Sequence, residues 1–273
     1  MTDTNIYIDR SRPIPVLKLN RPEKRNALNL EMWESLISIL DEVSKDSSIP
    51  VLVISGEGSS FCSGADISEM EKVFSDNKIA KKIANITYEA QKKLYEFNKP
   101  TIAMIRGSCV GGGCGIALCC DFRYGDHSIK MGITPGKIGL VYSLSDSRRL
   151  VQAVGLSKAR DILYTGRLMG SEECINMGMV DKVFSRDELE KKVFTYVDNI
   201  SATSQFSLKS NKKILNMISN GHHDDNAETR EMFIKAFSED DFKEGVDAFL
   251  NGRKPVTRFT SCHRFPFTTN LKN

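Results

Sequence analysis

Phe61-Cys62-Ser63-Gly64-Ala65-Asp66-Ile67 and Gly107-Ser108-Cys109-Val110-Gly111-Gly112-Gly113-Cys114 are the segments whose residue types could serve chemistry. Each sets small residues just beyond an apolar run, where a strand ends and main chain is left free to meet a ligand. A third segment, Arg21-Pro22-Glu23-Lys24-Arg25-Asn26-Ala27-Leu28, lies upstream. Side-chain devices fail on spacing. The glycines from Gly111 to Gly115 miss G-x-G-x-x-G, because its third glycine falls on Ile116 or Leu118. Gly136-Lys137 lacks the first glycine and the hydroxyl residue of a phosphate loop, with Met131 and Ile138 in those places. There is no H-E-x-x-H, C-x-x-C or G-x-S-x-G, and His222-His223-Asp224-Asp225 reads as a solvated loop, so no metal site is expected.

The elements that must position these segments alternate in the first half. Pro15 to Asn20 alternates as a strand, and Met32, Leu36, Leu40 and Val43 recur at helical spacing behind an Asn29 cap. Pro50 to Ser55 and Thr101 to Ile105 are short apolar runs of the kind buried on both sheet faces. The run from Gly111 predicts a close-packed helix, and Val180 to Phe184 a last strand. Beyond about Asp187 the pattern is helical: Leu189 to Ile200, Leu208 to Ser219, Glu228 to Phe237 and Phe242 to Leu250, with an irregular terminus over 255–273. That tail either caps its own sheet or forms an assembly surface.

Composition narrows the function. With 38 Lys+Arg against 35 Asp+Glu, the formal charge of +3 is too weak to imply a nucleic-acid partner. No apolar stretch reaches about 18 residues, so no membrane partner is expected. An odd count of 7 cysteines, several in small apolar company, reads as reduced thiols in the cytoplasm.

In their order and spacing the three segments resemble those of the crotonase superfamily, the enoyl-CoA hydratases and isomerases, from about Val16 through Val183. The resemblance implies an α/β fold with a repeated β-β-α spiral core over residues 1–200, which binds acyl-CoA and carries the oxyanion hole. It also implies a helical carboxyl-terminal segment over 201–273, through which such proteins form trimers or hexamers. The implied activity is that of a fatty-acid-metabolism enzyme, a lyase or isomerase, whose only coenzyme is the coenzyme A of its substrate thioester. The backbone N–H groups of Ala65 and Gly112 would hold the thioester carbonyl, since unpaired N–H groups at a helix start favour developing negative charge. Coenzyme A would run along Ala27 and Ala65-Asp66-Ile67, with Lys24 and Arg25 near its phosphates unless they are simply exposed charges. The acyl pocket would take its walls from the loop around Glu71 to Lys82 and from the tail.

Two departures bear on the reaction. Hydratases of this family place one Glu three residues after the oxyanion glycine and a second in the following loop; here these positions are Gly115 and Pro135, which cannot transfer a proton. Thr134 to Tyr142 is similar to the loop of the methylmalonyl-CoA decarboxylases, which carry an active-site Tyr at the position of Tyr142, although they keep a Glu at Gly115 and a His at Ala65. Tyr142 is then either a packed aromatic or an active-site group, and Asp146 is the nearest downstream carboxylate. The expected function is an acyl-CoA enzyme that stabilises a thioester enolate, classed with the enoyl-CoA hydratases and isomerases. The alternatives are a malonyl-type acyl-CoA decarboxylase and a catalytically silent acyl-CoA-binding protein.

Overall fold

The computed structural model describes residues 4–69 and 77–256. Cys262, the 70–76 part of the expected pocket wall and the 257–273 part of the expected terminus lie outside the described residues. The chain divides into two compact units, Met1–Thr195 and Tyr196–Asn273. The boundary falls inside a helix, a little before the expected one.

The first unit is built on a six-stranded sheet with the order β1 (Ile6–Asp9), β2 (Val16–Leu19), β3 (Leu52–Gly56), β4 (Thr101–Ile105), β6 (Phe122–Asp126) and β8 (Lys182–Phe184). Only β1 runs antiparallel to its neighbour; β2, β3, β4, β6 and β8 pair in parallel. Parallel strands lie between covering layers, which is why β4 is buried along its whole length and β3 over Leu52–Ser55. A second, two-stranded parallel sheet joins β5 (Ser108–Val110) to β7 (Lys130–Gly132).

Helices complete the packing. In α1 (Leu30–Lys45), Asn29 caps the first turn by accepting from the Met32 N–H at 2.9 Å, and Met32, Trp33, Leu36, Leu40 and Val43 form the buried stripe. It packs on α2 (Asn77–Tyr95). The expected pocket-wall loop therefore turns helical from Asn77 onward. The short α3 (Gly112–Cys119) is buried from Gly113 through Cys119, and its small side chains let it sit between α2 and α4 (Leu144–Val154). Next come α5 (Leu156–Thr165), α6 (Ser171–Met177) and α7 (Arg186–Ser201). The second unit holds α8 (Gln205–Ser219), α9 (Ala227–Ala236) and α10 (Asp240–Leu250). Among the described residues no helix is long and apolar enough to cross a membrane.

The expected strands and the tail helices recur with ends shifted by a few residues. Sequence periodicity missed β1, β5, β6, β7, α2 and α4 to α6, because the short strands are too brief to show a period and α2 buries only Ala90, Gln91 and Leu94. One interior charge braces this unit: Lys99, 1% exposed, donates to the carbonyls of Val43 at 2.5 Å and Asp46 at 2.6 Å, neutralising the negative end of α1. Lys99→Met keeps the length but strands both carbonyls, and is expected to lower unfolding free energy by about 2 kcal/mol in urea titrations, without changing the site.

Candidate active site

The three segments singled out by residue type lie side by side as main chain. Cys62 pairs in parallel with Cys109: its N–H donates to the Ser108 carbonyl at 2.8 Å, and its carbonyl accepts from Val110 at 2.9 Å. Gly64 then takes a φ of +104°, and the hydrogen bonding changes edge. Leu28 donates to the Gly64 carbonyl at 2.7 Å and accepts from the Asp66 N–H at 2.8 Å. Successive residues of an extended segment direct their polar groups to opposite edges, so the Ala65 N–H faces away from Leu28. On that other edge, a Cβ placed on Gly64 would stand 3.8 Å from the Gly112 nitrogen. Gly112 is the first residue of α3, behind Gly111 at a φ of +52°. Among the described residues neither the Ala65 nor the Gly112 N–H donates a hydrogen bond.

The upstream segment is locked by Asn26, which has no exposed surface and a φ of +57°, a backbone state asparagine tolerates. Its carbonyl oxygen accepts from the Arg21 N–H at 2.9 Å, and its amide donates to the carbonyls of Glu57 at 2.9 Å and Ser60 at 2.7 Å. Arg21 donates to the Ala27 carbonyl at 2.7 Å and to the Asp66 carboxylate at 2.7 Å, and Lys24 reaches the same carboxylate at 3.0 Å. Burial opposes ionisation of Asp66. Hydrogen bonds from Ser68 and the cations of Arg21 and Lys24 outweigh it and hold the carboxyl well below the usual range. Two residues expected along coenzyme A, Lys24 and Asp66, are thus each other's partners. Ala27 is buried, Arg25 is exposed at a left-handed turn, and Ile67 projects with 71% of its surface exposed.

Around Gly115 the side chains come from elsewhere in the chain. A Cβ there would collide with the Gln91 Nε2 and stand 3.5 Å from the Asp146 Oδ1. The Arg149 guanidinium donates to the Gln91 Oε1 at 3.2 Å and to the Asp146 Oδ1 at 2.6 Å, and Ser143 donates to the other Asp146 oxygen at 2.7 Å. Gln91, Asp146 and Arg149 are all buried. Tyr142 packs on the core with its ring partly exposed; its hydroxyl is buried and makes no hydrogen bond among the described residues. Burial, then the charge of Asp146, raises its pKa well above the ordinary value. Pro135 opens a single 3-10 turn, Pro135–Ile138. The structure therefore gathers Ala65 with Gly112, and Gly115 with Asp146. Sequence reasoning missed Gln91, Arg149 and Arg21; a glutamine and an arginine on the buried faces of amphipathic helices were the available signal.

The thiols are spectators. Cys62, Cys109, Cys114, Cys119, Cys120 and Cys174 are free and buried, and burial pushes the Cys62 thiol up to about 12. No cluster that could hold a metal occurs among the described residues.

Known proteins resemble the chain along most of its length. The profile of the enoyl-CoA hydratase/isomerase family matches residues 9–260. A probable enoyl-CoA hydratase of Mycobacterium tuberculosis is 31% identical over 256 residues, covering 93% of this chain and 98% of the relative. The crotonyl-CoA hydratase of Syntrophomonas wolfei is 31% identical over 261 residues, with coverages of 93% and 98%. Among solved structures, a putative enoyl-CoA hydratase/isomerase family protein from Hyphomonas neptunium superposes with a TM-score of 0.89 at 34% identity, over 93% of this chain and 97% of that one.

The Asp66 cluster sets an acid limit. Because folding lowers the pKa of this carboxyl below its ordinary 3.8, its contribution to stability is complete above that value and is lost as pH falls through the folded value. Asp66→Asn is expected to be less stable than the parent at neutral pH, and the gap should close as urea midpoints are followed into acid.

Proposed function

The chain belongs to the enoyl-CoA hydratase/isomerase family of enzymes, and from that premise we propose that it binds an acyl-CoA thioester with the carbonyl oxygen between the N–H groups of Ala65 and Gly112. The observation that carries this reading is the meeting of Gly64 with the start of α3, where both N–H groups lack a partner among the described residues. Two fixed donors and the positive end of a helix act most strongly where charge develops, on the oxygen of a thioester enolate. Coenzyme A lies along the main chain at Ala27 and Ala65 to Ile67, with Lys24 and Arg25 nearest its phosphates. Lys24 is shared with Asp66 there, so Asp66 shapes the loop.

Several relatives are named as hydratases, and enolate stabilisation serves hydration, isomerisation and decarboxylation alike. With glycine at 115 and proline at 135, the two carboxylates that would activate and deliver water in a hydratase are missing. One observation favours decarboxylation of a malonyl-type thioester as the second reading: the Tyr142 hydroxyl is buried and unpaired beside the Asp146 and Arg149 pair. In that reaction the bond from Cα to the carboxylate breaks, its electron pair becomes the enolate, and carbon dioxide leaves. The α carbon then takes up a proton. No base is required to form the enolate.

Self-association into a trimer or hexamer belongs to the same reading, because the helical second unit leaves Phe233, Ile234, Phe249 and Leu250 largely exposed in the single chain. The enclosed thiols fit a reducing, cytoplasmic compartment.

Gly112→Pro deletes one donor at a position where proline suits a helix start, and is expected to lower turnover of the preferred thioester at least about 100-fold. Undiminished turnover by a folded variant would overturn the site. Crotonyl-CoA hydration by the parent is expected to be weak or absent, and decarboxylation of malonyl-type CoA esters to fall in Tyr142→Phe. Gly115→Glu/Pro135→Glu, which restores the two carboxylates, requires the end of the Gln91 side chain to swing aside, and adding Gln91→Ala clears that space. Binding without turnover across a panel of CoA thioesters would instead mark a silent binder. In static light scattering at micromolar concentration the protein is expected to have the mass of a trimer or hexamer, and a monodisperse monomer would count against the assembly.

A further inference from the structure

We propose that Gln91 is the specificity-determining residue of the acyl pocket, and that its amide N–H groups select a thioester whose acyl chain carries a carboxylate. The proposal rests on the oxyanion-hole reading of Ala65 and Gly112, and names the substrate class for that site.

Gly115 stands one helical turn after Gly112 on α3, and the Gln91 Nε2 occupies the space its Cβ would take. A hydratase of this family carries an anionic acceptor there; this chain presents a neutral donor. The orientation of the amide is fixed, because its oxygen accepts from the Arg149 guanidinium at 3.2 Å. The NH2 end must then point away from Arg149, toward Gly115. Gln91 is only 3% exposed, yet its Nε2 donates no hydrogen bond among the described residues. An amide N–H that no protein acceptor takes up is open to an acceptor on a ligand.

The surroundings favour an anion over a neutral oxygen. The Arg149 charge polarises the amide through its oxygen and strengthens the opposite N–H groups. Asp146, the nearest carboxylate, is taken up by Arg149 at 2.6 Å and Ser143 at 2.7 Å, which limits its repulsion of a second carboxylate. The first turn of α3 adds its own positive end. A carboxylate attached to the α carbon of the thioester lies a few bonds from the carbonyl held at Gly112. That span is comparable to the single helical turn from Gly112 to Gly115.

Malonyl-CoA and isovaleryl-CoA test this directly, since they share a shape and differ in charge. The sole tryptophan, Trp33, has its Cζ2 3.6 Å from a Cβ placed on Gly112, so rapid-mixing fluorescence reports arrival at the site before turnover. The parent is expected to bind malonyl-CoA at least about 10-fold more tightly than isovaleryl-CoA, the scale of one hydrogen bond to a charged group. Gln91→Leu should erase that preference by weakening malonyl-CoA relative to isovaleryl-CoA. Gln91→Glu keeps an oxygen for Arg149, guards against loss of folding in the first variant, and should reverse the preference. Equal binding of both esters by the parent, or a malonyl preference that survives in both folded variants, would overturn the role of Gln91 and leave the oxyanion reading intact. Binding of neither ester would overturn that reading as well.

Discussion

A Cβ on Gly113 would stand 2.5 Å from the Cys62 carbonyl, and one on Gly64 would stand 3.1 Å from that of Val110. These contacts of main chain with main chain, with no side chain between, are the constraint on which the remainder of the site depends. They allow the 62–66 segment to lie against β5 and the start of α3. They also bring Gly64 beside Gly112 at a spacing that any larger residue would widen. The parallel sheet behind them serves this contact: β3 and β4 deliver the two segments from adjacent strands, in the same direction and in register.

Charge is handled on either side of that contact in two different ways. On one side, Asp66 is held ionised by Arg21 and Lys24, a pairing that ties the 21–28 turn to the 62–66 segment. Beyond α3, Arg149 and Asp146 cancel each other among buried groups, and Gln91 extends their polarity toward Gly115. The first arrangement fixes main chain, while the second shapes what the main-chain donors can face. A buried pair of this kind offers little net stability, so its consequence lies in the groups it orients.

Legibility in the sequence followed how local each determinant is. The Gly64-Ala65 and Gly111-Gly112-Gly113 runs stood out because a tight backbone approach needs small residues in succession, and Asn29 with Met32, Leu36, Leu40 and Val43 announced α1 through its period. Gln91, Asp146 and Arg149 could not be read in the same way. Their meaning depends on α2 and α4 both packing against α3 at Gly115, and a polar residue on a buried helix face marks a position without naming its partners. Lys24 and Asp66 look like separate charges in the sequence and become one ion pair only when the turn closes on Leu28.

The Ala65 and Gly112 N–H groups belong to the part of the molecule that the genetic code scarcely addresses. Every codon except those for proline supplies such a group, so any other substitution leaves each N–H present and can only displace it. Position 115 is different, since one base change there can install or remove a functional group. A lineage with this architecture can therefore alter the side chains that face α3 by ordinary point mutation while these main-chain N–H groups are carried along unchanged. Gly115, with the Gln91 amide against it, is a position of that kind.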